Sequence, residues 1–192
     1  MKISSYGFLA LLPLFLTGCL VPEKFSAKVE IQPDGGYAYS YKGTAVHALA
    51  AAELKQTGTI SPRDDAGLKA EADKMAKGQD VRRAVYLGKG RYDLDVQGTK
   101  TRGQPVKLLQ VLSVSTDKDG LITISSPELK DKERKQLEQL QIVIDGTLEV
   151  KVPKNAEVVS SNATSTPTMG LGGYAWKIGK VDQRPVMKVR LK

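Results

Sequence analysis

The sequence predicts an α+β fold, an antiparallel sheet of about nine strands with about three helices packed mainly on one side. Two observations predict it. Short segments with apolar residues at every second position recur along the chain, and Asp-Gly or Gly-rich turns separate them. Three longer segments instead carry the start and stop signals of helices. Because the strands come in hairpin-connected groups, we expect neighbouring strands to run antiparallel.

The first hairpin begins at residue 25. Apolar residues alternate with polar ones in its first strand, at Phe25, Ala27, Val29 and Ile31. Residues 34–36 (Asp-Gly-Gly) predict a tight turn. The return strand carries three tyrosines at alternate positions, Tyr37, Tyr39 and Tyr41, which therefore share one face of the sheet.

The first predicted helix is rich in alanine. Thr44 can cap its N-terminus, and the helix runs to about Gln56 and stops at Gly58. His47, the single histidine, lies in this segment. We expect a structural or surface role for it, because a metal site or a catalytic triad needs converging partners that the spacing does not supply.

Two further helices are predicted. The second begins with Ser61 as N-cap and Pro62 in the first position, and it ends at Gly78. The third is highly charged and runs from Ser126 to about Gln141.

The remaining strands are predicted over residues 81–87, 92–97, 106–116, 121–125, 142–144, 148–152, 174–178 and 187–191. Residues 117–120 (Asp-Lys-Asp-Gly) and 145–146 (Asp-Gly) are predicted turns. The first of these has the acidic residues of a calcium loop, but its glycine stands in the fourth position instead of the sixth, so a hairpin turn is the better interpretation.

The N-terminal leader has the layout of a signal peptide. Lys2 provides a positive start, and residues 6–16 form an apolar run that is shorter than the roughly 20 residues needed to span a bilayer. The run closes with a sequence that matches a bacterial lipobox at every position, Leu16, Thr17, Gly18 and Cys19. The small residues let the backbone enter a signal peptidase, and the thiol accepts a diacylglyceryl group.

The lipobox predicts the organisation of the chain. We expect residues 1–18 to be a signal peptide, residues 19–24 a lipidated tether, and residues 25–192 a single domain. Two or more fatty acyl chains, of the palmitate kind, on Cys19 would anchor the protein stably to a membrane. Leu20 stands where an aspartate would resemble a signal for retention in the inner membrane, so it favours the outer membrane, facing the periplasm, in a host with two membranes.

Composition and charge exclude several classes of function. A single cysteine excludes an internal disulfide, a thiol-based zinc site and dithiol redox chemistry. Lys2 is the only charged side chain in residues 1–18, so 28 basic and 21 acidic residues remain, a net charge of +7. That charge favours an anionic neighbour such as lipid headgroups, or merely aids solubility. Nucleic acid is not an expected partner, because the protein is exported and has no nucleic-acid-binding motif.

Short motifs in both halves of the chain resemble one family. The first strand and its turn read VEIQPDGG, and residues 145–150 read DGTLEV, followed by Val152-Pro153, residues 161–163 (SNA), and Trp176 after a Gly-rich loop. In order and spacing these resemble the LppM-domain family of bacterial lipoproteins. The resemblance implies an envelope-surface α+β domain in which a curved sheet grips a helix, as in helix-grip folds. It also implies binding of lipid or glycolipid and no catalytic activity.

Aromatic and apolar residues are the first candidates for a binding site. Tyr37, Tyr39 and Tyr41 can line an apolar ligand pocket, or they can be core residues. Trp176 can be a core anchor or part of the pocket. Met169 and Leu171 lie in a flexible Gly-rich loop that can gate the pocket or touch the membrane.

Basic residues of the third helix are the second candidates. Lys130, Lys132, Arg134 and Lys135 form either a solvated face or a contact with an anionic surface. No catalytic residue, metal ligand or cofactor is expected, since the chain contains no nucleophile elbow, phosphate-binding loop or dinucleotide fingerprint.

Two functions remain open at this level. The first is a non-enzymatic, membrane-anchored binding module for lipid or glycolipid components of the envelope. The alternative is a structural or assembly lipoprotein that docks another envelope protein through a sheet edge or its basic helix.

The lipobox generates the first prediction. Replacing Cys19 with serine removes the thiol that accepts the lipid, so Cys19→Ser should fail to mature and should leave the membrane fraction. Cell fractionation and the mass of the mature protein measure both effects. A variant that stays membrane-bound and matures normally would contradict the lipoprotein assignment.

Overall fold

The computed structural model describes residues 20–109, 111–168, 172–180 and 183–192. In these residues the elements, in chain order, are β1 (Leu20–Ile31), β2 (Tyr37–His47), α1 (Ala48–Thr57), α2 (Pro62–Met75), β3 (Val81–Gly88), β4 (Arg91–Lys100), β5 (Val106–Leu108), β6 (Leu112–Thr116), β7 (Ile122–Ser125), α3 (Asp131–Gln139), β8 (Asp145–Lys151), β9 (Ala156–Ser161), β10 (Tyr174–Ile178) and β11 (Val186–Leu191). The α+β class and the three helices are confirmed.

The strands form two sheets instead of the single predicted sheet. The larger sheet has six strands in the order β10-β8-β1-β2-β4-β3, and the smaller has five in the order β5-β6-β7-β11-β9. The described residues thus contain eleven strands, where about nine were predicted. The difference arises because Leu109, with a φ of 46°, breaks the predicted strand 106–116 into β5 and β6, and because β9 is too polar to show apolar alternation.

One pair in the larger sheet is parallel. Strand β1 pairs with β2 antiparallel, and on its other edge it pairs with β8 parallel, with Phe25 opposite Gly146. The predicted hairpin at residues 145–146 is therefore wrong, since both residues lie inside β8 and no strand forms over 142–144. Gly146 serves close packing instead of a turn, because a Cβ there would lie 2.3 Å from Cε1 of Phe25.

Strict alternation divides the larger sheet into a buried and an exposed face. The inward-facing residues of its central strands include Ala27, Val29, Tyr39, Tyr41, Tyr92, Leu94, Leu148 and Val150. Residues of the smaller sheet, such as Leu112, Ile124 and Met187, belong to the same continuous core. The opposite face carries ion pairs such as Lys28–Glu149 and Arg83–Asp93. All three helices add buried residues to the core, namely Ala50, Leu68, Ala72 and Leu137.

Strand β1 begins five residues before the predicted start. Leu20, Val21 and Pro22 pair with His47, Val46 and Ala45 of β2, and a bulge follows before Phe25. The segment that we expected to be a tether is therefore part of the sheet from residue 20 onward. Apolar Leu20 and Val21 favour this pairing, and Pro22 is tolerated because the strand is irregular at that point.

The first helix begins later than predicted. Thr44, the predicted cap, lies in β2, because residues 44–46 continue the ladder with β4. The N-cap is His47, whose Nδ1 accepts a hydrogen bond from the backbone N–H of Ala50 at 3.2 Å. The single histidine thus has a structural role.

The structure confirms the predicted start of α2 and the predicted turn at residues 117–120, but not the predicted start of the third helix. Ser61 caps α2 as predicted, with Oγ accepting from the N–H of Asp64. Helix α3 starts at Asp131 instead of Ser126, because Ser126 is held in an extended segment: its N–H donates to the Pro185 carbonyl and its hydroxyl to the Val111 carbonyl. Asp117 accepts from two backbone N–H groups in the predicted turn between β6 and β7.

Two glycine substitutions should change stability in opposite directions, because Gly146 packs tightly between β8 and β1 and Gly67 does not. Gly146→Ala should lower the free energy of unfolding by about 1–3 kcal/mol, because the new methyl overlaps the ring of Phe25, which is stacked on Tyr41. Gly67→Ala, in open space on α2, should raise it by about 0.5–1 kcal/mol. Urea unfolding of both variants measures the difference. Equal effects would show that the β1–β8 contact is not tight.

Candidate functional site

A cavity of about 420 Å³ lies between the start of β1, the start of α1 and helix α3. Its apolar wall includes Val21, Phe25, Leu129, Leu137, Ile144 and Ile178. Leu137 is the one buried residue of α3, and it closes the cavity from that side. The volume is in the range of small-molecule pockets, roughly 300–1,000 Å³.

Strand register places this cavity at one end of the larger sheet. Leu20 is opposite His47, Val46 is opposite Arg91, and Gly146 is opposite both Phe25 and Ile178. We call this the proximal end and define it by residues 20–24, 45–49, 87–91, 143–145 and 178–180. The opposite, distal end holds the turn between β1 and β2. The cavity thus adjoins the point at which the described chain begins.

Charged and polar groups form the rim of the cavity. Glu128 is paired with Arg184 at 3.0 Å, and Oε2 of Glu133 accepts from the N–H of Lys130 at 2.8 Å. Both carboxylates are therefore engaged. Lys130 is exposed at the rim, and its ammonium makes no ion pair within 4.0 Å among the described residues. The rim thus offers a cation beside an apolar interior.

The three tyrosines are core residues and do not line this cavity. Tyr37, Tyr39 and Tyr41 are only 2%, 5% and 0% exposed. Tyr41 stacks on Phe25, with ring centroids 5.6 Å apart, and its hydroxyl donates to the Thr44 carbonyl. The Tyr37 hydroxyl donates to the Gln104 carbonyl at 2.6 Å. Burial raises the pKa of the Tyr37 phenol to about 12 and also raises the pKa of Tyr41, so both are neutral.

Tyr39 belongs to a charged cluster near the distal end. Its hydroxyl donates to Oδ2 of Asp80 at 2.7 Å, and Nζ of Lys100 donates to the same oxygen at 3.0 Å. Both hydrogen bonds lower the pKa of Asp80, and the bond from Tyr39 has the larger effect. Burial and the neighbouring Asp80 carboxylate raise the pKa of Tyr39 to about 12. The three side chains therefore use one another as hydrogen-bond partners. The cluster connects β2 and β4 to residue 80 and offers no reactive group.

Trp176 links the two sheets. Its ring is 5% exposed, and its Nε1 donates to Oδ1 of Asn162 at 2.8 Å. The same oxygen accepts from the N–H of Val186 in β11. Trp176 therefore anchors the core, and it does not line the cavity. Met169 and Leu171 lie outside the described residues. Tyr174, three residues after Leu171 in the sequence, pairs with Val150 toward the distal end.

The basic residues around α3 are mostly solvent-exposed. Lys130, Lys132 and Lys135 are exposed, while Arg134 is half-buried and forms an ion pair with Asp131. Only Lys130 of this group lines the cavity. The lipobox residues Leu16, Thr17, Gly18 and Cys19 lie outside the described residues.

Of the residues that line the cavity, only Lys130 is a candidate from the sequence alone. Val21 falls in the predicted tether, and Leu129 and Leu137 fall in the predicted charged helix. One signal was available, since Leu129, Leu137 and Leu140 are the only large apolar residues between Pro127 and Gln141. Isolated leucines on an otherwise charged segment must cover another surface to leave water.

The part of the chain that the structure describes contains neither a cluster of metal-ligating side chains nor a helix that could span a membrane. No group of three or more His, Cys, Asp or Glu side chains converges there. Among the same residues, no helix is both long enough and apolar enough to cross a bilayer.

Comparisons with known proteins show a distant structural similarity. No protein-family model matches the chain, and no curated protein matches it. The structure is similar to the folded domain of LppM from Mycobacterium tuberculosis, solved by NMR, with 15% sequence identity and a TM-score of 0.42. The match covers 90% of this chain and 91% of that domain.

The Asp80 cluster predicts a pH-dependent contribution to stability. Because the folded-state pKa of Asp80 is lowered, its contribution is present above the ordinary aspartate pKa near 4 and is lost as the pH falls through the lower folded-state value. Asp80→Asn should therefore lower the free energy of unfolding by about 1 kcal/mol at pH 7 and by less in acid.

The control for this prediction is Asp119→Asn. Asp119 is exposed, and the substitution removes the same charge from a side chain outside the cluster. Urea unfolding at several pH values compares the two variants. A constant difference between Asp80→Asn and the native chain from pH 7 to pH 3 would contradict the proposed hydrogen bonds.

Proposed function

We propose that this chain is a bacterial lipoprotein, anchored through Cys19, whose proximal cavity binds an acyl chain of an envelope lipid or glycolipid. The supporting observation is that Val21, which lines the cavity, follows Cys19 by two residues. Two residues span at most about 7 Å, so an acylated Cys19 holds the cavity close to the bilayer surface. In a host with two membranes, Leu20 favours the periplasmic face of the outer membrane.

The chemistry of the cavity suits an amphipathic ligand. Its interior is walled by aliphatic and aromatic side chains, so each methylene that leaves water there contributes about 0.8 kcal/mol. At the rim, Lys130 is available to a phosphate or another anionic headgroup. An acyl chain inside and a headgroup at the rim would use both features. This site replaces the tyrosine face as the candidate for ligand binding.

The hydrogen bonds made by His47 and Ser126 favour a binding role over catalysis. Nδ1 of His47 is occupied as a helix cap. Ser126, the hydroxyl-bearing residue in the cavity wall, donates to the Val111 carbonyl at 2.5 Å. Nucleophilic catalysis needs a hydroxyl within reach of a general base, and neither side chain has that arrangement. We therefore propose a non-enzymatic role.

A second candidate function is docking of another envelope protein. Strand β9 is an edge of the smaller sheet, and its Val159 is 48% exposed. An open edge with an exposed apolar residue can accept a strand from a partner. Crosslinking from residue 159 that repeatedly captures one protein, in a chain that carries no lipid, would favour this role over lipid binding.

Filling the cavity provides the test of lipid binding. Ala48→Phe places a ring in the cavity, so it should strongly reduce the lipid that co-purifies with protein expressed from Leu20. Such protein carries no acyl group of its own, and any lipid found by mass spectrometry comes from the membrane. Ala52→Phe, on the same helix but outside the cavity wall, should retain the lipid.

Two results would contradict the proposal. One is the absence of lipid from native protein that has been extracted gently from membranes. The other is equal lipid content in the Ala48→Phe and Ala52→Phe variants, which would place the bound lipid elsewhere on the protein.

A further inference from the structure

The geometry points to a second membrane contact, and we propose that the proximal end is a docking surface that lies flat on an anionic bilayer. Leu49, Leu87 and Val143 would enter the interfacial region of the bilayer, and the cavity would open against it. This inference rests on the proposed anchoring at Cys19. It assigns the contact to folded residues of the proximal end, and not to Lys132 and Lys135 of the basic helix.

Exposed large apolar side chains are concentrated at this end. The described residues contain five of them, and Leu49, Leu87 and Val143 are the most exposed, at 56%, 54% and 69%. Single exposed apolar residues are ordinary on protein surfaces. Three at one end of a sheet are different, because together they keep a sizeable apolar surface in water unless something covers it.

Hydrogen bonds and register place the start of α1 beside the turn that follows Leu87. Leu87 precedes the turn from β3 to β4, where Gly88 is opposite Arg91. That turn packs on the start of α1, since the N–H of His47 donates to the Gly90 carbonyl at 2.8 Å and a Cβ on Gly90 would meet Ala50 at 2.6 Å. The first turn of α1, which contains Leu49, therefore lies against the turn that follows Leu87.

Val143 completes the surface on the other side of β1. It lines a shallow depression together with Lys24, Thr44 and Arg91, so it lies next to the start of the first strand. Leu49 and Val143 thus flank the start of the described chain, and Leu87 lies at the same end of the sheet on the edge strand β3. A lipid on the preceding residue would hold all of them against the bilayer.

Charge at the proximal end complements an anionic membrane. The defined ranges contain four basic residues, Lys24, Lys89, Arg91 and Lys180, and two acidic residues, Glu23 and Asp145. Glu23 is already neutralised by Arg91 at 3.1 Å. The end therefore carries a net positive charge around its apolar residues, which is the pattern of interfacial membrane-binding surfaces.

Docking at this end would give the cavity direct access to lipid. Leu49 belongs both to the docking surface and to the wall of the cavity, and Lys130 stands at the rim. An acyl chain could then pass from the bilayer into the cavity without crossing water. The same surface would thus determine both orientation and ligand entry.

Depth-dependent quenching tests the surface in the full-length, lipidated protein. Because the sulfur of Cys19 is acylated in the proposed mature protein, a new cysteine can be labelled singly with a fluorophore. Labels at Leu49→Cys, Leu87→Cys and Val143→Cys are compared with labels at Val159→Cys and Lys154→Cys. Val159 is a matched exposed valine, and Lys154 is an exposed residue at the distal end. The protein is reconstituted in vesicles of phosphatidylethanolamine and phosphatidylglycerol that contain brominated lipid.

The expected result is loss of most of the emission from the three proximal labels and little loss from the two controls. Quenching should weaken in vesicles of phosphatidylcholine alone. Equal quenching of proximal and control labels would overturn the proposal. Proximal labels that are shielded from both lipid-borne and aqueous quenchers would also overturn it, because they would indicate a second copy or a protein partner on this surface.

Failure of the docking surface is distinguishable from failure of the proposed function. Flotation of the protein with the vesicles and the mass of residue 19 report on anchoring, and co-purified lipid reports on the cavity. If the protein floats and carries lipid while all labels remain unquenched by the bilayer, the docking surface alone is wrong.

Discussion

The structure depends on the position of β1 in the middle of the larger sheet. This strand pairs with β2 on one edge and with β8 on the other, so residues 24–30 contact residues 145–151. The contact is possible because Gly146 leaves room for the ring of Phe25, which in turn stacks on Tyr41. A strand held on both edges cannot act as a flexible tether. Residues 20–22 pair with β2 alone, and they come just before the part of β1 that is held on both edges, so the start of the described chain lies at a defined end of the sheet.

The two ends of the core differ in how they are filled. Toward the distal end, Tyr37 and Tyr39 occupy the space above the sheet, and their hydroxyls bond to Gln104 and Asp80. At the proximal end, the bulge before Phe25 and the late start of α3 leave a cavity. Tyrosine rings thus fill one end of the fold, whereas Phe25 and mostly aliphatic side chains line a cavity at the other. A ligand site and a membrane contact at the proximal end are consistent with one another, because both need apolar surface that the core does not cover.

Local sequence patterns predicted the features that depend on neighbouring residues. Alternation identified most strands and the common face of the three tyrosines, and capping residues identified the start of α2 at Ser61. Local signals misled where tertiary contacts used the same residues differently. Thr44 continues a ladder with β4 instead of capping a helix, and the Asp-Gly at 145–146 lies within β8. In both places the competing interaction comes from a distant segment, which a local pattern does not contain.

The amino-acid sequence by itself determined the α+β class, the three helices and the order of most elements, and it predicts a lipobox that ends at Cys19. Only the tertiary structure decided the division into two sheets, the parallel β1–β8 pair and the cavity. The physical reason is distance along the chain. The wall of the cavity brings together Val21, Leu49, Leu137 and Ile178, and no periodicity within a single segment encodes the space left between side chains that are separated by so many residues.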